Sequence, residues 1–230
     1  MTNLAIIPAR GGSKRIPAKN IKTFLGKPII SYAIETAIST SLFSEIAVST
    51  DDDKIASIAL ASGAAVPFIR SKKNSDDRAT LSDVLLEVIE EYQNQKKNFD
   101  LVCMILPTAV FITSENLLSS YNKLMDGRFS SIIPVAKYSY PIQRALVLDE
   151  GGRLSMLWPE NQNTRSQDLT SSYHDCGQFY WIRIKDFLRE KSILMYNTGS
   201  VVLKGEQVQD IDTNEDWEIA EIKYQILQKR

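Results

Sequence analysis

Two short clusters of charge hold most of the chemistry available to this 230-residue chain. The first is Ala9-Arg10-Gly11-Gly12-Ser13-Lys14-Arg15-Ile16-Pro17-Ala18-Lys19-Asn20. Paired glycines let a backbone turn sharply and present N–H groups to an anion. Arg10, Lys14, Arg15 and Lys19 match the roughly four negative charges of a nucleoside triphosphate, and Arg binds phosphate through two parallel hydrogen bonds. The spacing fits neither the P-loop pattern nor the dinucleotide-binding Gly-x-Gly-x-x-Gly. A solvated basic loop is the alternative, but a Gly-Gly pair placed directly after an apolar run favours phosphate.

The second cluster is Asp210-Ile211-Asp212. On a strand, residues two apart share a face, so the two carboxylates would project together while Ile211 enters the core. Like charges at that spacing repel unless a cation separates them, and Mg²⁺ completes its oxygen shell with substrate phosphates and water. The competing reading has Asp212 capping the helix that follows while Asp210 faces solvent.

Around these clusters the chain is ordinary. Lys and Arg number 27 against 28 Asp and Glu, a net charge of -1, with 43% hydrophobic residues. That balance argues against a nucleic-acid partner, which calls for a basic excess. No apolar run reaches the length of a membrane span, and no basic segment leads an apolar one at the N-terminus, so the cytoplasm is the expected compartment. Two cysteines give no disulfide framework. The single histidine, His174, rules out a multi-histidine metal site. The charge is unevenly spread: residues 10–27 hold six cations and no acid, residues 206–221 seven acids and no Lys or Arg.

The elements that would position these clusters alternate. Leu4–Ala9, Ile46–Thr50, Ala64–Ile69, Phe99–Leu106 and 131–137 read as strands. Helices are expected over Ile29–Phe43, from the Asp51–Asp53 caps to Gly63, after a Thr80–Asp83 capping box, and over 114–126. The result is an α/β, Rossmann-like, doubly wound and mostly parallel sheet, with the basic loop at its ligand crevice. From Tyr138 the alternation gives way to a β-rich excursion over 138–175, a small lobe inserted into one domain spanning 1–230. Further strands are expected over Gly177–Ile184, Val201–Leu203 and Val208–Ile211. A Thr213–Asp216 box then opens a last helix, with Trp217, Ala220, Tyr224 and Leu227 on one side.

The run Ile7 to Asn20 resembles the N-terminal signature of cytidylyltransferases that activate acidic sugars. Val48-Ser49-Thr50-Asp51 and Asp210-Ile211-Asp212-Thr213 resemble two further motifs of that family, in its order and separation. Residues 163–169 and Tyr173-His174-Asp175-Cys176-Gly177 look most like the pseudaminic acid branch; sialic acid enzymes carry an Arg-Pro-Asn-Gly-like stretch where His174–Gly177 stands. The resemblance implies transfer of CMP from CTP to a nine-carbon acidic sugar, Mg²⁺ as cofactor, and a homodimer built through the 138–175 lobe. It places Arg10, Gly11, Gly12, Ser13, Lys14, Lys19, Asn20, Arg70 and Ala79 at the nucleotide, and Asp210 and Asp212 on the metal. Gln167, His174 and Asp175 fall at the sugar, and Arg10, Lys19 and Asp212 carry the chemical step. His174 is weighed against a purely structural role, and Cys176 against simple burial. Sialic, legionaminic or deoxyoctulosonic acid are the rival acceptors. A non-catalytic nucleotide-sugar sensor on the same fold is the rival of another class.

Overall fold

The structure is a computed structural model and describes residues 1–229. β1 (Asn3–Pro8) is buried at every position, as a strand covered by helices on both faces must be. The basic loop follows, then a short antiparallel pair, β2 (Thr23–Phe24) and β3 (Lys27–Pro28), joined through Leu25 and Gly26. Both linking residues have positive φ. Next come α1 (Ile29–Thr40), β4 (Glu45–Ser49), α2 (Asp53–Ala61), α3 (Leu81–Asn94), β5 (Leu101–Ile105), α4 (Ser114–Met125) and β6 (Ser131–Lys137).

The excursion contributes the hairpin β7 (Leu146–Leu148) and β8 (Leu154–Met156), several single 3-10 turns, and β9 (Tyr173–Asp175). β9 pairs with β6, and so does β10 (Phe179–Arg183) beyond it. The two follow one line beside β6, broken at Cys176–Gln178, where Gly177 takes φ +59. The chain closes with α5 (Ile184–Glu190), β11 (Thr198–Leu203) and α6 (Asn214–Gln228).

The main sheet runs β11-β6-β10-β5-β1-β4, with β9 beside β6. β4, β1, β5, β6 and β11 share one direction; β9 and β10 oppose it. One face packs Ile7, Ile34, Val48, Leu117 and Trp181 beneath α1 and α4. The other packs Ile6, Val84, Leu85, Ile89 and Phe187 beneath α3 and α5.

Three segments depart from expectation. Residues 64–69 make only isolated bridges, Ala47 to Ala65 and Thr50 to Ile69. Pro67 lies in that run and has no N–H for a ladder. Residues 208–211 form no strand either. Lys223 holds them instead, its Nζ donating to the Val208 carbonyl at 3.0 Å and to Gln209 Oε1 at 2.9 Å. α5 was not expected, being short and lacking a side-chain N-cap. The three capping signals do appear: Asp52 caps α2, and the Thr80–Asp83 and Thr213–Asp216 boxes open α3 and α6.

A third hydrophobic cluster brings the two charged ends together. Ile16 from the basic loop and Ile211 from between the aspartates pack in it with Phe24, Ile29, Tyr32, Phe111, Trp217 and Ala220. Phe24 meets Tyr32 and Trp217 edge-on, each with centroids 5.5 Å apart, and Tyr32 meets Tyr224 at 5.3 Å. Aromatic pairs of this geometry add to what simple area burial supplies. Ile16 and Ile211 are 1% and 0% exposed, so the flanking charged side chains face away from this core.

Candidate active site

A cavity of about 550 Å³ opens at the carboxyl rim of β1 and β5. Pro8, Leu106, Pro107 and Thr108 bring strand ends to it, and Leu81 and Val84 of α3 form an apolar wall. Arg10, Ser13, Lys14, Lys19, Asn20, Arg70, Ala79, Asp210 and Asp212 all line it. Arg15 joins them, and so do Asp76, Asp77 and Thr80, which no motif in the sequence marks as site residues. The only hint of those three was an Asp-Asp pair in a polar loop ahead of a capping box.

The cationic wall rests on the Ser49–Asp53 turn. Gly11 donates its N–H to Asp51 Oδ1 at 2.9 Å, and Ser13 donates its own to the Gly11 carbonyl at 2.9 Å. Those two N–H groups are therefore committed within the protein, while Arg10, Ser13, Lys14, Arg15 and Lys19 of this loop line the cavity. Neither Gly11 nor Gly12 has positive φ or lines the cavity. Gly11 is needed for space: a Cβ there would lie 2.8 Å from Asp52 Oδ2 and 3.0 Å from Asp52 Cβ. Because Asp52 Oδ1 accepts from Lys54 and Ile55 to cap α2, Gly11→Ala is expected to strain that cap. A lost cap costs about 1 kcal/mol, a fall in Tm of roughly 2–4 °C in a chain this size, measurable by calorimetry. Asn20 Nδ2 donates to the Arg10 carbonyl at 3.0 Å and steadies the loop from the other side.

Arg70 is 5% exposed and fixed by Ser49, its Nε donating to Ser49 Oγ at 2.9 Å and its Nη2 to the Ser49 carbonyl. Burial brings its guanidinium down to about 10, opposed by Asp51 and Glu87, so it stays charged at neutral pH. The Val48–Asp51 motif thus anchors both Arg70 and the basic loop.

On the anionic wall, Asp210 and Asp212 both reach the cavity while Ile211 is buried. The alternation expected of a strand is present without the strand. Asp212 is not the helix cap; Thr213 is. Asp212 Oδ1 receives Lys19 Nζ at 3.3 Å and Oδ2 receives Arg15 Nη1 at 2.7 Å. Lys19 also donates to the Ile211 carbonyl at 2.6 Å. With its side chain only 19% exposed, against 66% for Arg15, Lys19 makes the less screened contact between the walls.

Partial burial and the charge of Asp212 hold the Asp210 carboxyl above the usual range, with Lys19 opposing. A carboxyl whose folded pKa is raised favours folding as pH falls and opposes it when ionised. Asp210→Asn is therefore expected to raise the Tm of the ligand-free protein at pH 7. The gain shrinks as the wild-type carboxyl protonates toward pH 4, a trend that melting curves across pH will show.

The donor set suits Mg²⁺, a hard cation that takes one or two carboxylates and fills its shell with substrate phosphates and water. Among the described residues no group of three or more His, Cys, Asp or Glu forms a cage for a metal held by protein alone.

The residues expected at the sugar do not line this cavity. Gln167 lies in a second one of about 370 Å³, with Lys137, Tyr138, Ser139, Thr170 and Ser172. His174 stands edge-on to Tyr138 at 5.0 Å, and its Nδ1 meets the Asp175 carbonyl at 2.9 Å. A carbonyl only accepts, so Nδ1 carries the proton there and Nε2 is left for another partner. Asp175 accepts from the Gly177 N–H at 2.8 Å and the Tyr180 hydroxyl at 2.9 Å. Burial, then Asp175, then the more distant Asp210 push the Tyr180 hydroxyl well up, so it acts as a donor at neutral pH.

A parallel-sheet rim that gathers cations opposite two carboxylates has the form of a nucleotidyl-transfer site. Residues 4–144 match the cytidylyltransferase family. The chain is 43% identical to a pseudaminic acid cytidylyltransferase of Campylobacter jejuni over 98% of its length and 97% of that protein. It is 31% identical to a CMP-N,N'-diacetyllegionaminic acid synthase of Legionella pneumophila, over 96% and 95%. A CMP:2-keto-3-deoxy-manno-octonic acid synthetase complexed with CTP shares the fold, with a TM-score of 0.71 at 18% identity and full coverage of both chains. The protein belongs to the cytidylyltransferase family and is an enzyme of that class. Among the described residues no helix is long and apolar enough to cross a membrane.

Proposed function

We propose that the protein transfers CMP from CTP to the anomeric hydroxyl of pseudaminic acid, yielding CMP-pseudaminic acid and pyrophosphate. The observation that carries this reading is the single cavity in which Arg10, Lys14 and Lys19 face Asp210 and Asp212. The 43% identity to a pseudaminic acid cytidylyltransferase over nearly the whole chain supports the choice of acceptor. The anomeric oxygen attacks the α-phosphorus in line. As that bond forms, the bond from the α-phosphorus to the bridging oxygen of the β-phosphate breaks, and the hydroxyl proton passes to solvent. Arg10, Ser13 and Lys14 hold the β- and γ-phosphates and neutralise the leaving pyrophosphate. Lys19 is assigned to the α-phosphate. Catalysis here is positioning plus charge stabilisation.

Asp210 and Asp212 would hold Mg²⁺, which when bound neutralises phosphate charge. Arg15, exposed and paired with Asp212, is then free to turn toward phosphate. Asn20, Arg70 and the Ala79 backbone take the nucleoside end. Gln167, His174 and Asp175 receive the sugar, with Tyr180 fixing the Asp175 carboxylate.

We read residues 138–175 as a lobe inserted into one domain and as the contact between two subunits. Its hairpin leaves Leu146, Leu148 and Leu154 about 60% exposed, and so small a hairpin is not stable by itself. The enzyme fits the cytoplasm, in keeping with its two free, buried cysteines.

Pyrophosphate release from CTP, assayed with pseudaminic, legionaminic, sialic and deoxyoctulosonic acids, tests this reading. The highest kcat/KM is expected with pseudaminic acid. A preference for another sugar overturns the acceptor assignment, and no turnover with any would favour a sensor.

A further inference from the structure

The phosphate-loop cations are already holding an anion, and it belongs to the protein. Asp77 Oδ1 lies 2.9 Å from Arg10 Nη1, and its Oδ2 pairs with Lys14 Nζ. The same Arg10 nitrogen donates to the Asp76 carbonyl at 2.7 Å. Two cations, one on each oxygen of a single group, are what a phosphate with two non-bridging oxygens would meet. All three side chains line the cavity assigned above to the nucleotide.

The two neighbouring aspartates divide their work. Asp76 builds its loop: its Oδ1 accepts from the Arg78 and Ala79 N–H groups, each at 2.8 Å. Among the described residues the Asp77 carboxylate is bonded only to Arg10 and Lys14 and takes no backbone N–H. Those two cations draw its carboxyl below the ordinary range, so it is ionised throughout the neutral region. The base of the loop is tied to α3 separately. Glu87 accepts from the Ser71 N–H at 2.8 Å and from Asn74 Nδ2 at 2.7 Å. The tip can therefore release its cations while the base stays attached.

We infer that Asp77 stands in for substrate phosphate, occupying Arg10 and Lys14 at the cavity until a triphosphate displaces it. The proposal rests on the cavity being the triphosphate site. Three or four phosphate charges outbid one carboxylate, and the displaced Asp77 is then repelled by the polyphosphate that replaced it. Nucleotide affinity is thereby set below what the cations alone would give, which helps pyrophosphate leave after transfer.

The test compares wild type with Asp77→Asn and Asp77→Glu. KM for CTP is read in the pyrophosphate-release assay, and affinity for inorganic tripolyphosphate by titration calorimetry without sugar. Removing the charge is expected to lower KM for CTP and the tripolyphosphate Kd by about three- to tenfold, in line with two partly exposed ion pairs. The Glu variant, which keeps the charge, should stay near wild type, and melting curves should show Asp77→Asn folded. A KM or Kd that is unchanged or raised in a folded Asp77→Asn overturns the proposal. Wild type that binds neither CTP nor tripolyphosphate overturns the nucleotide reading of the cavity instead, and this inference with it.

Discussion

Asp212→Asn is expected to lower kcat/KM for CTP by about 10²–10³ while leaving the melting temperature close to that of wild type. The substitution keeps the shape of the side chain and removes its charge. Asn still accepts Lys19 or Arg15 through its amide oxygen, and Ile211 still anchors the segment in the aromatic cluster. Under the proposed function, what is lost is one of two carboxylates that would face the phosphates, and with it the hold on a divalent cation. The fold has little reason to suffer. Asp212 is partly exposed, and the helix it precedes is capped by Thr213 and Asp216. Near-normal turnover in a folded Asp212→Asn would remove this carboxylate from the reaction.

Arg10→Ala should cost about 10² in kcat/KM for CTP, with the larger share in KM if Arg10 holds phosphate equally in ground and transition states. Arg10 is held only by the partly exposed Asp76–Asp77 loop, contacts that a polyphosphate can replace. Lys19 is committed to Ile211 and Asp212, Arg70 to Ser49, and Lys14 is 79% exposed and heavily screened. The variant should also lose salt sensitivity in KM, because one charge–charge contact with the nucleotide has gone. Its melting temperature should move little, since the pairs broken on the Asp76–Asp77 loop are partly exposed. Unchanged kinetics would exclude Arg10 from the phosphate site.

Much of this was legible in the sequence because it is local. Capping boxes at Thr80 and Thr213 span three residues, and the buried strands β1 and β5 show as unbroken apolar runs. The charge asymmetry was equally plain, and the structure supplies its reason: the aromatic cluster around Phe24 and Trp217 folds the first loop onto the last turn. Features set by distant contacts were not legible. The 64–69 segment looked like a strand until Pro67 and the edge position reduced it to two bridges. The Gly11 N–H looked free for an anion, but Asp51, forty residues away, takes it. Asp77 gave no sign of its partners, because its contact with Arg10 and Lys14 exists only once the loop before α3 folds against the basic loop. The separation of Gln167 from the main cavity likewise depends on how the lobe folds back, which no periodicity records.

Arg10 and Asp212, from the two charged segments of the chain, are expected to meet on one ligand. Titration calorimetry with CTP and Mg²⁺ tests it on wild type, Arg10→Ala, Asp212→Asn and the double variant. Wild type is expected to bind, and each single substitution, one from each wall, to weaken binding at least tenfold. The double variant should lose less than the sum of the two, since both side chains act on the same triphosphate. Wild-type affinity in either folded single variant, or fully independent losses in the double one, would contradict it.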